Sequence, residues 1–220
     1  MGRIIRVGLV DDHEIVRQGL VSLIKAQEGV RVLFDLSNGA ELLEALKEST
    51  KPDVIILDIE MPGVDGRQAL QVIHSKYPDI KVIMFSMHNR LDFISECISM
   101  GAHGFLSKDC DFDKMVDAIY SVHHKGFYLD EFVSKALVKN AQMMHKTFPN
   151  GFLKSPLDTI DIQIIDLICK GKNSIEIADI VCLSKRTVQG RRLRISKKTD
   201  TANTIELVVY AIKHGIFKIY

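Results

Sequence analysis

VIILDIEMPGVDG, residues 54–66, starts with four apolar residues and breaks at Asp58 into a stretch punctuated by Pro62, Gly63 and Gly66. A short apolar run bounded by turn signals suits a strand buried on both faces, the setting of a parallel sheet enclosed by helices. The pattern recurs before residue 125, as IRVGLV before Asp11, VRVLFDL before Ser37, KVIMF before Ser86 and AHGFL before Ser107. Between these runs lie EIVRQGLVSLIKAQ, ELLEALKEST, RQALQVIHSKY, LDFISECISM and DFDKMVDAIYSV, each with apolar residues at the three- and four-residue spacing of a helix packed on a sheet. Five βα units with right-handed crossovers predict an α/β doubly wound parallel sheet, with ligands beyond the carboxyl ends of its strands.

The unusual polar residues stand at those ends. Asp11 and Asp12 follow the first strand, Asp58 the third, Ser86 the fourth and Lys108 the fifth. Taken singly, a strand-end Asp is more often a helix N-cap and a lone Lys a solvated charge. Taken together they converge on one sheet edge, where three carboxylates repel unless a cation joins them, and such hard oxygen ligands suit Mg²⁺. Asp58 then has the character of a carboxylate nucleophile for a phosphoryl group, with Lys108 and the Ser86 hydroxyl to hold the transferred oxygens.

Composition bounds the rest. With 220 residues, 46% hydrophobic and 26% charged, the chain is long enough for one large or two small domains and excludes disorder and collagen-like repeats. No apolar run reaches the roughly 18 residues of a membrane span, and the N-terminus turns acidic early, so a cytoplasmic protein without a membrane partner is expected. Four scattered cysteines without a CxxC pair suggest packing thiols rather than zinc or disulfides. Residues 1–149 hold 17 Lys+Arg against 21 Asp+Glu and residues 150–220 hold 12 against 7, so the back half is the candidate for a polyanion.

VDDH, LDIEMPGVDG, FSMH and GFLSKD resemble the receiver domain of two-component response regulators, over residues 3 to about 125. The resemblance implies a flavodoxin-like five-stranded sheet of order 2-1-3-4-5 with Asp58 as phosphoacceptor. It implies a Mg²⁺ site of Asp12, Asp58 and the Glu60 backbone carbonyl, assisted by Asp11, and a switch pair of Ser86 and Phe105. Phe105 also suits ordinary core packing. Where many receivers have a cis-proline after the lysine, this chain has Asp109.

Residues 126–153, ending in FPNGFLK, are expected to be a partly helical linker to a domain over 154–220. There DTIDIQIIDLICKG, NSIEIADIVCL, SKRTVQGRRLRISKKT and NTIELVVYAIKHG predict four helices, with stops at Gly171 and Gly215 and cap spacings at Asn173/Glu176 and Asn203/Glu206. The third carries seven basic residues and no acid up to Lys198. Such a run is usually a solvated face, but GKNSIEIADIVCLSKRTV is similar to the LuxR-type helix-turn-helix of NarL/FixJ regulators, which implies a DNA-binding recognition helix. In relatives the fourth helix, here YAIKHGI, forms a dimer contact.

Val188 and Ile195 share a stripe expected to face the core. The candidate DNA-contacting residues are Lys185, Arg186, Thr187, Gln189, Gly190, Arg191, Arg192, Leu193, Arg194 and Lys197. Gln189 suits an adenine and Leu193 a thymine methyl, unless Leu193 packs on the protein. Gly190 costs a helix interior roughly 1 kcal/mol relative to Ala, so close approach to DNA is one reason for it and simple tolerance another.

The expected function is therefore a DNA-binding transcriptional regulator that accepts a phosphoryl group from a sensor histidine kinase and binds double-stranded DNA as a homodimer. A constitutive DNA-binding regulator is the alternative. A phosphatase-like enzyme is disfavoured, because no second catalytic group stands near Asp58; a phosphoacceptor with at most slow self-dephosphorylation is expected instead.

Overall fold

The structure, a computed structural model, describes residues 4–48, 50–130, 133–134, 157–201 and 203–217. Its first part alternates β1 Ile5–Val10, α1 Glu14–Lys25, β2 Val30–Leu36, α2 Gly39–Ala45, β3 Val54–Asp58, α3 Gly66–Lys76, β4 Lys81–Ser86, α4 Leu91–Ser99, β5 Gly104–Ser107 and α5 Phe112–Lys125. The strands are all parallel, in the order β2-β1-β3-β4-β5 expected of the receiver resemblance. Both faces are covered: Val7, Leu9 and Ile56 pack with Ile24 of α1 and Ile119 of α5, while Ile55 and Leu57 pack with Leu42, Leu70 and Ile94 of α2 to α4. Two-sided burial accounts for strands that read as continuous apolar runs.

Element ends depart from the sequence reading for local reasons. The helix expected over ELLEALKEST stops at Ala45, and Lys51 Nζ donates to the carbonyls of Leu46 and Glu48 just beyond it. The fifth strand begins at Gly104, because Ala102 still belongs to the preceding turn, its N–H bonded to Cys97 O. The helix expected to close near Val122 runs to Lys125. The packing role expected of the cysteines holds for buried Cys97 but not for Cys182, which is exposed.

Among the residues described from 157 onward lie the helices α6 Thr159–Cys169, α7 Ser174–Ile180, α8 Lys185–Thr199 and α9 Thr204–Lys213. Ile164, Ile168, Ile177, Val188, Ile195 and Val208 form their shared core, with Val188 and Ile195 fully buried as the stripe argument required. Asn173 and Glu176 make the expected capping box, Asn203 caps α9 by accepting from Glu206 N, and Gly171 and Gly215 follow α6 and α9 at φ +76° and +68°. Most of the expected linker lies outside the described residues. Among the described residues no helix is long and apolar enough to cross a membrane.

Candidate functional site

Because β1 and β3 are neighbours in the sheet, the residues that end them stand side by side, and β5 brings a lysine to the same edge. Lys108 Nζ lies 2.8 Å from Asp11 Oδ2 and 2.8 Å from Asp58 Oδ2. The three side chains are 8%, 4% and 3% exposed, so solvent screens this cluster little. One cation facing two buried carboxylates leaves the cluster negative. Burial, reinforced by the charge of Asp11, pushes the Asp58 carboxyl above the ordinary range despite the hydrogen bond from Lys108. Burial alone would lower the Lys108 ammonium; its pairing with the Asp11 and Asp58 carboxylates outweighs this and raises it.

Asp58 Oδ1 accepts from Ile59 N at 2.7 Å, which fixes the carboxylate and keeps Oδ2 toward Lys108. Gly66 allows α3 to start hard against this strand end: a Cβ there would come within 2.0 Å of the Asp58 carbonyl oxygen. Asp11 Oδ1 accepts from His13 N at 2.8 Å, whereas its buried Oδ2 has no aligned hydrogen bond. Asp11, Asp12, His13 and Asp58 place ligand atoms within 4.8 Å of one another. Hard carboxylate oxygens and an under-satisfied Oδ2 fit a divalent cation such as Mg²⁺. The sequence reading missed His13, whose Nδ1 sits 2.7 Å from Asp12 Oδ1; it directly follows the acidic pair, and that adjacency was its signal.

Ser86 is buried at the end of β4, and its Oγ accepts from His88 N at 3.1 Å. Phe105, on the neighbouring strand, is 2% exposed and packed in the core. Across the mouth of the site, His88 Nε2 and Glu60 Oε1 approach to 2.7 Å, at the edge of an open cleft of about 850 Å³ that Asp12, Arg67 and Phe93 also line. None of the described peptide bonds is cis, so the Lys108–Asp109 bond is trans.

The ten candidate residues of the basic helix fall into two sets. Lys185, Arg186, Thr187, Gln189, Gly190, Leu193, Arg194 and Lys197 are exposed. Leu193 is 62% exposed, which removes packing on the protein as its explanation, and a Cβ on Gly190 would meet nothing within 4 Å. Arg191 and Arg192 are half-buried on the flanks. Arg191 donates to both oxygens of Asp158 and to Asp161, and Arg192 donates to Ser174 Oγ and Thr204 Oγ1. Exposed Arg194 also reaches Asp161, at 2.9 Å. Asp158 and Asp161 were not foreseen as partners; a D-x-x-D spacing at a helix start, in an otherwise basic domain, was the available signal.

The two halves touch. Asn203 Nδ2 donates to Ile98 O in the last turn of α4 at 2.6 Å, while its Oδ1 caps α9. Lys81 at the start of β4 is lowered by burial and by the nearby Arg192 guanidinium.

Residues 7–120 match the response regulator receiver domain, and residues 159–211 match the luxR family of bacterial regulatory proteins. The response regulator GacA of Pseudomonas aeruginosa is 32% identical over 215 residues, covering 96% of this chain and 97% of that protein. The response regulator UvrY of Escherichia coli is 30% identical, covering 96% and 95%. The RcsB response regulator of Salmonella typhimurium superposes with a TM-score of 0.56 at 24% identity, covering 96% of this chain and 98% of that one, a likeness of fold.

Proposed function

The chain belongs to the two-component response regulators that join a receiver to a LuxR-type DNA-binding domain, hence to DNA-binding transcriptional regulators, and we propose that phosphorylation of Asp58 controls its output. The observation that carries this reading is Lys108 held at 2.8 Å from both Asp11 and Asp58, three residues from different strand ends joined in one buried cluster.

A sensor histidine kinase is the donor. Asp58 Oδ attacks phosphorus, a P–O bond forms, the P–N bond to the donor imidazole breaks, and the imidazole leaves with the electron pair and takes a proton. Asp11, Asp12, Asp58 and the Glu60 carbonyl are the residues to hold Mg²⁺, which when bound screens the nucleophile from the incoming anion. Lys108 binds a transferred oxygen. Ser86 Oγ, which already accepts from His88 N, keeps its own hydrogen to donate to another. The chain is a phosphoacceptor rather than an enzyme, with slow self-dephosphorylation at most.

Control of DNA binding runs through α4. A Ser86 drawn toward the phosphoryl group loosens the packing of Phe105 and α4, and the Asn203 bridge to Ile98 O transmits this to α9, the helix proposed to pair two copies on double-stranded DNA. Arg186, Gln189, Gly190, Leu193 and Lys197 form the groove-facing surface.

The test is affinity for an operator-bearing duplex with and without acetyl phosphate and Mg²⁺, beside Asp58→Ala. Phosphorylation is expected to tighten wild-type binding and leave Asp58→Ala unchanged; equal affinity in every sample supports constitutive binding instead. Leu193→Ala is expected to weaken discrimination at a thymine by the roughly 1–3 kcal/mol of a good base contact or less. Unchanged discrimination at every thymine removes Leu193 from the reading set.

A further inference from the structure

Viewed down α8 at 100° per residue, the helix is braced on both sides of its core stripe. Val188, Ile195 and Thr199 form the stripe and are buried. On one flank Arg191 and Arg194 both reach Asp158 and Asp161 at the start of α6, and Lys198 reaches Asp161. On the other, Arg192 bonds to Ser174 and Thr204. Opposite the stripe lie Arg186, Gly190, Leu193 and Lys197, with Gln189 between them and the Arg192 flank, all five exposed.

The acidic flank is tightly built. Asp161 is fully buried, yet its carboxyl is held down to about 2: burial works against the charge, and the hydrogen bonds from Arg194, Lys198 and Arg191 outweigh it. Asp158 and Asp161 also form the capping box of α6, so their oxygens are fixed by backbone as well as by charge. Arg191 Nη1 lies within 2.9 Å of three carboxylate oxygens, and its side chain is 21% exposed. A guanidinium so bonded would have to give up its contacts with two carboxylates, one of them buried, to reach a phosphate.

We propose that Asp158 and Asp161 are positioning residues for DNA recognition, holding Arg191 on the protein so that it neutralises no phosphate and fixing the roll of α8 that turns Arg186, Gln189 and Leu193 outward. The inference rests on the DNA-contact reading of α8. It separates the helix's cations by job: Arg186 and Lys197 meet the polyanion, Arg191 orients the helix, and Arg194, more exposed, presents its remaining donors outward from a fixed position.

Each phosphate neutralised contributes about 0.9 to the slope of log affinity against log salt, so the slope counts cations in contact. The experiment measures that slope for the full chain on a short mixed-sequence duplex, with melting curves as a folding control. Lys197→Gln is expected to make the dependence shallower by about 0.9 per lost phosphate contact, and Arg191→Gln to match wild type. Asp158→Asn keeps an N-cap residue, frees Arg194 from one carboxylate and is expected to steepen the slope. Arg191→Gln as shallow as Lys197→Gln overturns the proposal, as does Asp158→Asn with an unchanged or shallower slope. A wild type without salt-dependent affinity sinks the DNA-contact reading and this inference with it.

Discussion

The molecule holds two carboxylate pairs that use the same chemistry to opposite ends. In the receiver, Asp11 and Asp58 share one lysine, and burial with mutual repulsion raises the Asp58 carboxyl. In the helical domain, Asp158 and Asp161 meet three cations, and the Asp161 carboxyl drops to about 2 although its side chain is buried too. Burial pushes both carboxyls upward, and the number of cations bonded to each decides whether that push is overcome. The under-neutralised pair is fit to take up a divalent cation and a phosphoryl group, while the saturated pair is fit to hold a helix still.

Exchanging a charge at each site gives the sharpest contrast. Asp58→Asn is expected to abolish phosphoryl incorporation from acetyl phosphate, read by intact mass, whereas Asp161→Asn should accept the group as wild type does. Incorporation that survives in Asp58→Asn would break the assignment.

Stability should respond next, with opposite signs. Asp161→Ala removes a buried carboxylate that Arg191, Arg194 and Lys198 share and that closes the α6 capping box, and is expected to cost about 1–3 kcal/mol in denaturant unfolding of the helical domain. Asp58→Asn removes a repelled charge and leaves Lys108 to Asp11, so the receiver should hold its stability or gain.

Titration offers a subtler reading. Asp161 has a folded value below the ordinary 3.8, so its contribution is present above that value and is lost as pH falls from about 4 to about 2. Asp58 has a raised folded value, so its contribution is present below 3.8 and is lost as pH rises through the folded value. Carboxyl NMR should show the two midpoints on either side of 3.8, and Mg²⁺ should move only that of Asp58 downward. Movement of Asp161 would break the comparison.

The smallest effect is expected at Asp158. Its side chain is 48% exposed and Asn caps a helix nearly as well, so Asp158→Asn should leave the same unfolding midpoint close to that of wild type. A larger loss would show that Asp158 carries as much of the clamp as Asp161.

Much of this was legible in the residues themselves. Apolar runs ending at Asp11, Asp58, Ser86 and Lys108 announced a parallel sheet and the edge where its chemistry sits, since period and burial are properties of the chain. The core positions of Val188 and Ile195 followed from helical spacing alone. The basic residues of α8 could not be divided in the same way: angle around the helix separates core from surface, but only the packing of α6 beside α8 puts two carboxylates against Arg191, Arg194 and Lys198.

What the sequence by itself determined was the order of elements, the strand-end acids and the stripe that α8 turns inward, because each depends on residues close in the chain. Only the tertiary structure decided how many cations each carboxylate pair receives, and that Asn203 joins α9 to α4. Those contacts join residues 30 to 105 positions apart, and a Coulomb energy depends on distance and burial, which spacing along a chain does not encode.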